Sequence, residues 1–176
     1  MRKSLGLWAL AGLTFTAVLG TLLHFLYDWT DAAAVAPFSA VNESTWEHMK
    51  ILFFPMLLFG CIQWSFFREE YEGFWWIKLI GITVGTLAIP MLYYTYNGAF
   101  GKSPDWLKVL FFFIAAGGAY LLEWRLFKKE FYRPYSWIAV IILSAWALAF
   151  VIFTFYPPQL PLFQDPITER YGLVFP

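Results

Sequence analysis

Long apolar stretches alternate with short polar interruptions along this chain, and their lengths carry the first inference. Five apolar runs occupy roughly 5–27, 45–67, 74–96, 105–127 and 135–156. A hydrocarbon layer about 30 Å thick takes about 20 residues of helix to cross, so each run predicts a transmembrane helix. The first run follows Arg2 and Lys3 like a signal peptide. It is longer than a usual signal core and ends in aromatic and acidic residues without a small-residue cleavage site, which predicts a retained helix. Beyond the fifth run, prolines at 157, 158, 161 and 166 forbid a continuous helix. Leu160, Leu162, Phe163 and Ile167 are nonetheless too apolar for a free tail, so 157–176 is expected to pack irregularly over the helix ends. The expected fold is an all-α integral membrane bundle of five transmembrane helices, one domain over 1–176, with no internal repeat.

Composition agrees with that pattern. The 176 residues are 60% hydrophobic and only 14% charged, too apolar for a soluble domain, which must cover its surface with polar groups. Formal net charge is zero, which leaves no basic surplus for a nucleic-acid backbone and makes membrane lipid the expected partner. The single cysteine, Cys61, lies inside an apolar run and excludes an intramolecular disulfide. With the N-terminus cytoplasmic, Arg2, Lys3, Arg68, Lys78, Arg125, Lys128, Lys129 and Arg133 fall inside, eight of the twelve basic residues. The positive-inside bias therefore predicts N-terminus in and C-terminus out. Trp29, Trp46, Trp75, Trp76, Trp106, Trp124 and Trp137 stand near span ends, as an interfacial belt requires.

This topology gathers the unusual polar residues on the outer side. His24, Tyr27 and Asp28 close the first run, and Asn42, Glu43, Ser44, Glu47 and His48 open the second. Ionisable groups at a membrane helix end that are not simple Lys or Arg anchors mark a candidate site. His24 and Asp28 share a helical face, as do Ser44 and His48 and also Glu43 and Glu47. Facing helix ends are expected to bring His24, Asp28, Glu47 and His48 together, a ligand set suited to zinc, iron or manganese. In that arrangement His24, Asp28 and His48 hold the ion, and Glu47 or Glu43 acts as general base. A second account of Glu47 is structural: Ser44-Thr-Trp-Glu47 fits a capping box, with reciprocal bonds between the two residues.

Lys50 has two readings as well, as a side chain that snorkels with Glu43 or Glu47 or as a positive charge for an anionic head group. Tyr93, Tyr94 and Asn97, at the end of the third run, belong to the interfacial belt or donate to a ligand in the same pocket. Glu123 and Arg125, near the inner end of the fourth run, are expected to pair or snorkel. Gly81-x-x-x-Gly85 and Gly117-Gly118 suit close helix crossings.

Three segments together, His24-Phe-x-Tyr-Asp28, Asn42-Glu-Ser-x-Trp-Glu-His-x-Lys50 and Pro161-Leu-Phe-x-Asp-Pro-x-Thr-x-x-Tyr-Gly172, resemble an uncharacterised family of small polytopic bacterial membrane proteins, defined only as a domain of unknown function. The resemblance spans nearly the whole chain. It implies a bacterial inner-membrane location and a pocket built from the first loop, the start of the second helix and the tail. Three functions fit the residues: a metal-dependent membrane hydrolase acting on a lipid or amphiphile, a cation or proton transporter, or a non-catalytic membrane subunit. Few polar residues continue through the apolar runs, which counts against transport.

Overall fold

In the computed structural model, residues 4–129 and 133–173 are described. Arg2 and Lys3, used above for orientation, lie outside them, as do the last three residues of the tail. Five helices follow one another: α1 (Leu5–Thr30), α2 (Thr45–Phe67), α3 (Phe74–Phe100), α4 (Asp105–Lys128) and α5 (Ser136–Phe155). Each is long and apolar enough to cross a membrane, and no strand forms among the described residues. At 20 to 27 residues and about 1.5 Å of rise per residue, they match a hydrocarbon core of about 30 Å with interfacial turns to spare.

Two helices outrun their apolar stretches. α1 continues past Tyr27 to Thr30, where Asp31 turns left-handed and its N–H bonds to the Tyr27 carbonyl. α3 continues through Tyr93–Asn97 and ends at Phe100, before Gly101 with φ 85°. Hydropathy marks where lipid ends, whereas a helix stops where its backbone ladder is capped. The polar ends of both helices are therefore held rigidly.

The helices α1, α2, α3 and α4 form a ring, in which α1 and α3 each pack on both α2 and α4, and α5 lies outside against α3 and α2. Phe53, Met56, Ile82 and Ala116 are fully buried inside it. A side chain at Gly81 would stand 2.4 Å from Glu123, and one at Gly85 2.9 Å from Ala119, so this glycine pair does let α3 close on α4. Gly117 and Gly118 make no such crossing, since nothing lies within 4 Å of either added Cβ.

Among the described residues, two Lys–Glu pairs are buried in the bundle. Near the end that carries the tail, called the upper end below, Lys50 pairs with Glu47. Towards the lower end Lys78 reaches Glu123 at 2.6 Å, with the Gln63 side-chain oxygen at 3.5 Å. Both lysines have 0% exposure, so neither snorkels, and Lys78 is a core residue rather than a free interfacial charge. Glu123 takes Lys78, from a neighbouring helix, in place of the expected Arg125, which is exposed. A carboxylate at membrane depth is stabilised only by a partner it can reach directly.

The tail folds back on the upper end. Phe163, in the short turn Pro161–Phe163, packs 4.7 Å from the Trp46 ring, which in turn lies 4.5 Å from Phe150. Trp46 is thus a core residue, not a member of the belt, whereas Trp29, Trp106 and Trp137 are exposed. Asp165 accepts from Ile167 N–H and the Thr168 hydroxyl, both at 2.8 Å, and closes the tail's turn. Leu173 N–H bonds to the Thr154 carbonyl of α5.

Candidate functional site

The start of α2 is built by Asn42, Ser44 and Glu47. Ser44 Oγ accepts from Glu47 N–H at 3.4 Å, which is one half of the capping box. The other half is replaced, because Ser44 N–H bonds to Asn42 Oδ1 at 2.9 Å and the Glu47 carboxylate turns to Val41 N–H at 3.1 Å and to Lys50. Lys50 Nζ also donates to the Ala36 carbonyl at 2.8 Å and to Thr154 Oγ1 at 2.9 Å. Its three N–H groups thus have three acceptors. Glu47 and Lys50 form a buried latch joining the first loop, α2 and α5, and Asn42 Nδ2 adds a bond to the Gly172 carbonyl of the tail.

His48, next in sequence to Glu47, points elsewhere because consecutive residues diverge by about 100° around a helix. Its Nδ1 lies 2.9 Å from the Ser44 carbonyl. A carbonyl only accepts, so Nδ1 carries a proton and Nε2 faces outward from α2. Nε2 meets Glu43 Oε2 at 3.6 Å, while Glu43 Oε1 lies 3.7 Å from His24 Nε2. The two imidazole centroids are 5.3 Å apart. His24, Glu43 and His48 offer one ligand atom each, all within 4.8 Å of one another.

The expected convergence of four residues is therefore half met. His24 and His48 meet, but Asp28 is exposed at the last turns of α1 and Glu47 is locked in the latch. Asp28 stands about 6 Å further along the helix than His24, beyond the level at which α2 begins. Glu43, from the loop, fills the place between the two rings.

His24 is positioned by a residue that sequence reasoning missed. The Ser39 hydroxyl donates to the Leu23 carbonyl at 2.5 Å and accepts from Tyr27 N–H at 2.9 Å. These are the two groups that an uninterrupted helix would pair with each other. Ala40 N–H also bonds to Leu23 O. The loop is thereby stitched into the turn that carries His24, and no local motif around Ser39 announces it.

A cleft of about 400 Å³ opens beside the three residues, between α1 and α4. Gly20, Phe25, Ile51, Val109, Phe112 and Phe113 give it apolar walls, Ile167 of the tail reaches its edge, and Asp105 and Lys108 complete its polar end. Lys108 Nζ bonds to Asp105 Oδ1 at 2.8 Å. Lys108 was legible only as an outer basic residue; its three-residue spacing from Asp105 at a helix start was the available signal. A smaller cavity of about 20 Å³, room for about one water, is lined by Glu43, Thr45, His48, Tyr93 and Lys108 among others. Of the other expected ligand contacts, Tyr94 lines neither cavity, Asn97 accepts from Ser103 N–H at 2.7 Å to shape the α3–α4 turn, and Lys50 is committed to the latch.

These features define a multi-pass helical membrane protein with a two-histidine, one-carboxylate cluster in a cleft at one end of its bundle. The chain belongs to a family of unknown function, DUF6512, whose profile matches residues 1–173. No curated protein and no solved structure matches it.

Proposed function

We propose that the protein is a metal-dependent membrane enzyme that hydrolyses an amphiphile, with His24, Glu43 and His48 as the ligands of a zinc, iron or manganese ion. The observation that carries this reading is the spacing of 3.6 and 3.7 Å between the carboxylate oxygens and the imidazole nitrogens. It exceeds a hydrogen bond, which closes at about 2.7–3.2 Å. Each distance is close to the edge of a tetrahedron, about 3.4 Å, for metal–ligand bonds of about 2.1 Å, although the two involve different Glu43 oxygens; with one ligand atom per residue, the three atoms lie within 4.8 Å of one another. The Ser44 carbonyl accepts the hydrogen bond of His48 Nδ1–H, which leaves Nε2, the nitrogen that faces the carboxylate, as the one to bind an ion. Two histidines and a glutamate also leave a tetrahedral ion one open position, where it would lower the pKa of a bound water.

The surrounding residues supply the rest. The apolar wall excludes water below the cluster and orients an amphiphile with its head at the helix ends. Glu43 becomes a ligand, and Glu47, whose carboxylate is neutralised by Lys50, holds the loop that presents Glu43. With the N-terminus inside, the cleft serves the outer leaflet.

The test is metal content of the detergent-purified protein after zinc, iron or manganese loading. One ion per chain is expected in wild type and in Glu47→Gln, and loss in His24→Ala, His48→Ala and Glu43→Gln. Equal metal in wild type and His48→Ala contradicts the reading.

One observation favours a second reading, cation or proton transport. Below the cleft, Thr16 Oγ1 and Tyr120 Oη are 2.8 Å apart, and beyond them lie Lys78, Gln63 and Glu123, whose Oε1 is buried without a partner. Phe112 presses on Gly20 between the two polar levels, so this reading requires that ring to move. Proton or cation flux in proteoliposomes, abolished by Glu123→Gln, would support it.

A further inference from the structure

The charges that face the cleft are few and their sum changes sign with the ion. Among the described residues, Glu43 and Asp105 are the carboxylates, Lys108 is the one lysine lining it, and the His24 and His48 rings are neutral when they act as ligands. With both rings neutral, these groups sum to one net negative charge without the ion. A divalent ion reverses it to one net positive charge, at the level where α2 and α4 begin. Below that level the wall descends along α1 from His24 to Gly20 and along α4 from Lys108 to Phe113, about 6–8 Å of apolar surface. Phe25, Val109 and Phe113 belong both to this wall and to the exposed face of the helices, so the cleft opens sideways into hydrocarbon.

From this juxtaposition we infer that the cleft takes an amphiphile with an oxyanion head group, such as a phosphate monoester, and takes it only when the metal is bound. Lys108 provides the fixed counter-charge. It is only 17% exposed at its side chain and faces both the main cleft and the water-sized cavity behind it, with Asp105 on its solvent side at 95% exposure. An arriving oxyanion meets Lys108 and the open position of the ion on one side, while its chains lie along Phe25, Val109 and Phe113. A zwitterionic head carries its own cation beside its phosphate, which offsets the attraction of Lys108 and of the ion. Binding of metal and of oxyanion amphiphile strengthen each other reciprocally. This inference rests on the proposed metal site and adds to it the ligand's charge and its dependence on the ion.

Native mass spectrometry of the detergent-solubilised protein, with phosphatidic acid or phosphatidylcholine added and metal content measured alongside, separates the two levels. In the zinc-loaded protein phosphatidic acid is expected to bind about tenfold more tightly than phosphatidylcholine. Chelation, or Lys108→Gln, should reduce that preference to twofold or less. Lys108→Gln should keep the ion. Asp105→Asn, which removes the competing carboxylate, should raise the preference, a gain that misfolding cannot mimic. Inorganic phosphate alone should compete only weakly if the chains contribute. Equal binding of the two lipids by the loaded wild type, or an undiminished preference in Lys108→Gln, overturns the inference while leaving the metal site standing. Absence of metal from the wild type would instead remove the site itself.

Discussion

Two acidic residues at the mouth of α2 stand in different environments, and substitution should separate them. Glu47 sits in a saturated buried pair with Lys50, so Glu47→Gln leaves an ammonium without its counter-charge. Breaking a buried pair from one side costs about 3–5 kcal/mol, and thermal unfolding in detergent should show a loss of that order with metal retained. Glu43 is half-exposed in the loop, so Glu43→Gln should barely change unfolding while metal is lost. The paired replacement of Glu47 and Lys50 by Leu and Met should restore much of the stability lost in either single variant. A double variant as unstable as the sum of the singles would contradict the latch. The sequence suggested both a cap and a ligand for Glu47. The cap is half real, and what hid the latch is that Ala36 and Thr154, its other acceptors, are 14 and 104 residues from Lys50.

At the scale of elements, the stitch between the first loop and α1 carries a prediction. In Ser39→Ala, Tyr27 N–H and the Leu23 carbonyl still have each other as partners along the helix, so unfolding should change by only about 1 kcal/mol or less. The loop should lose its seat on the turn bearing His24, and metal affinity should fall several-fold, towards the 10- to 100-fold typical of lost supporting contacts to ligands. An unchanged metal affinity would show that Ser39 only seats the loop. On the opposite side of the ring, Gly81→Ala forces a methyl into Glu123 and should cost about 1–3 kcal/mol, whereas Gly117→Ala meets nothing and should be neutral or slightly stabilising. Helices were legible because about 20 apolar residues in a row have few other solutions. Their contact faces were not, since the apolar pattern runs all round each helix. The separation of Glu47 from His48 was available in advance from helical geometry, but the entry of Glu43 between the rings depends on a loop path that no periodicity records.

For the whole molecule, the ring of four helices with α5 outside leaves the cleft on the α1–α4 seam, where no fifth helix covers it. The tail and α5 brace this end through Trp46, Phe163 and Thr154, and among the described residues of the tail only Ile167 reaches the edge of the cleft, so loss of the tail should loosen the latch more than it opens the cleft. The basic residues predict the N-terminus inside, and on that orientation cysteine labelling at position 170 in a Cys61→Ala background should succeed in intact cells with an impermeant reagent. Labelling only after the inner side is opened would invert the topology and place the cleft at the inner leaflet. Zinc K-edge X-ray absorption on the loaded protein reads the ligands of the ion themselves. Two imidazoles and one carboxylate at about 2.0–2.1 Å are expected, with one imidazole lost in His48→Ala. A shell of oxygen alone, or a spectrum unchanged in His48→Ala, would contradict the account.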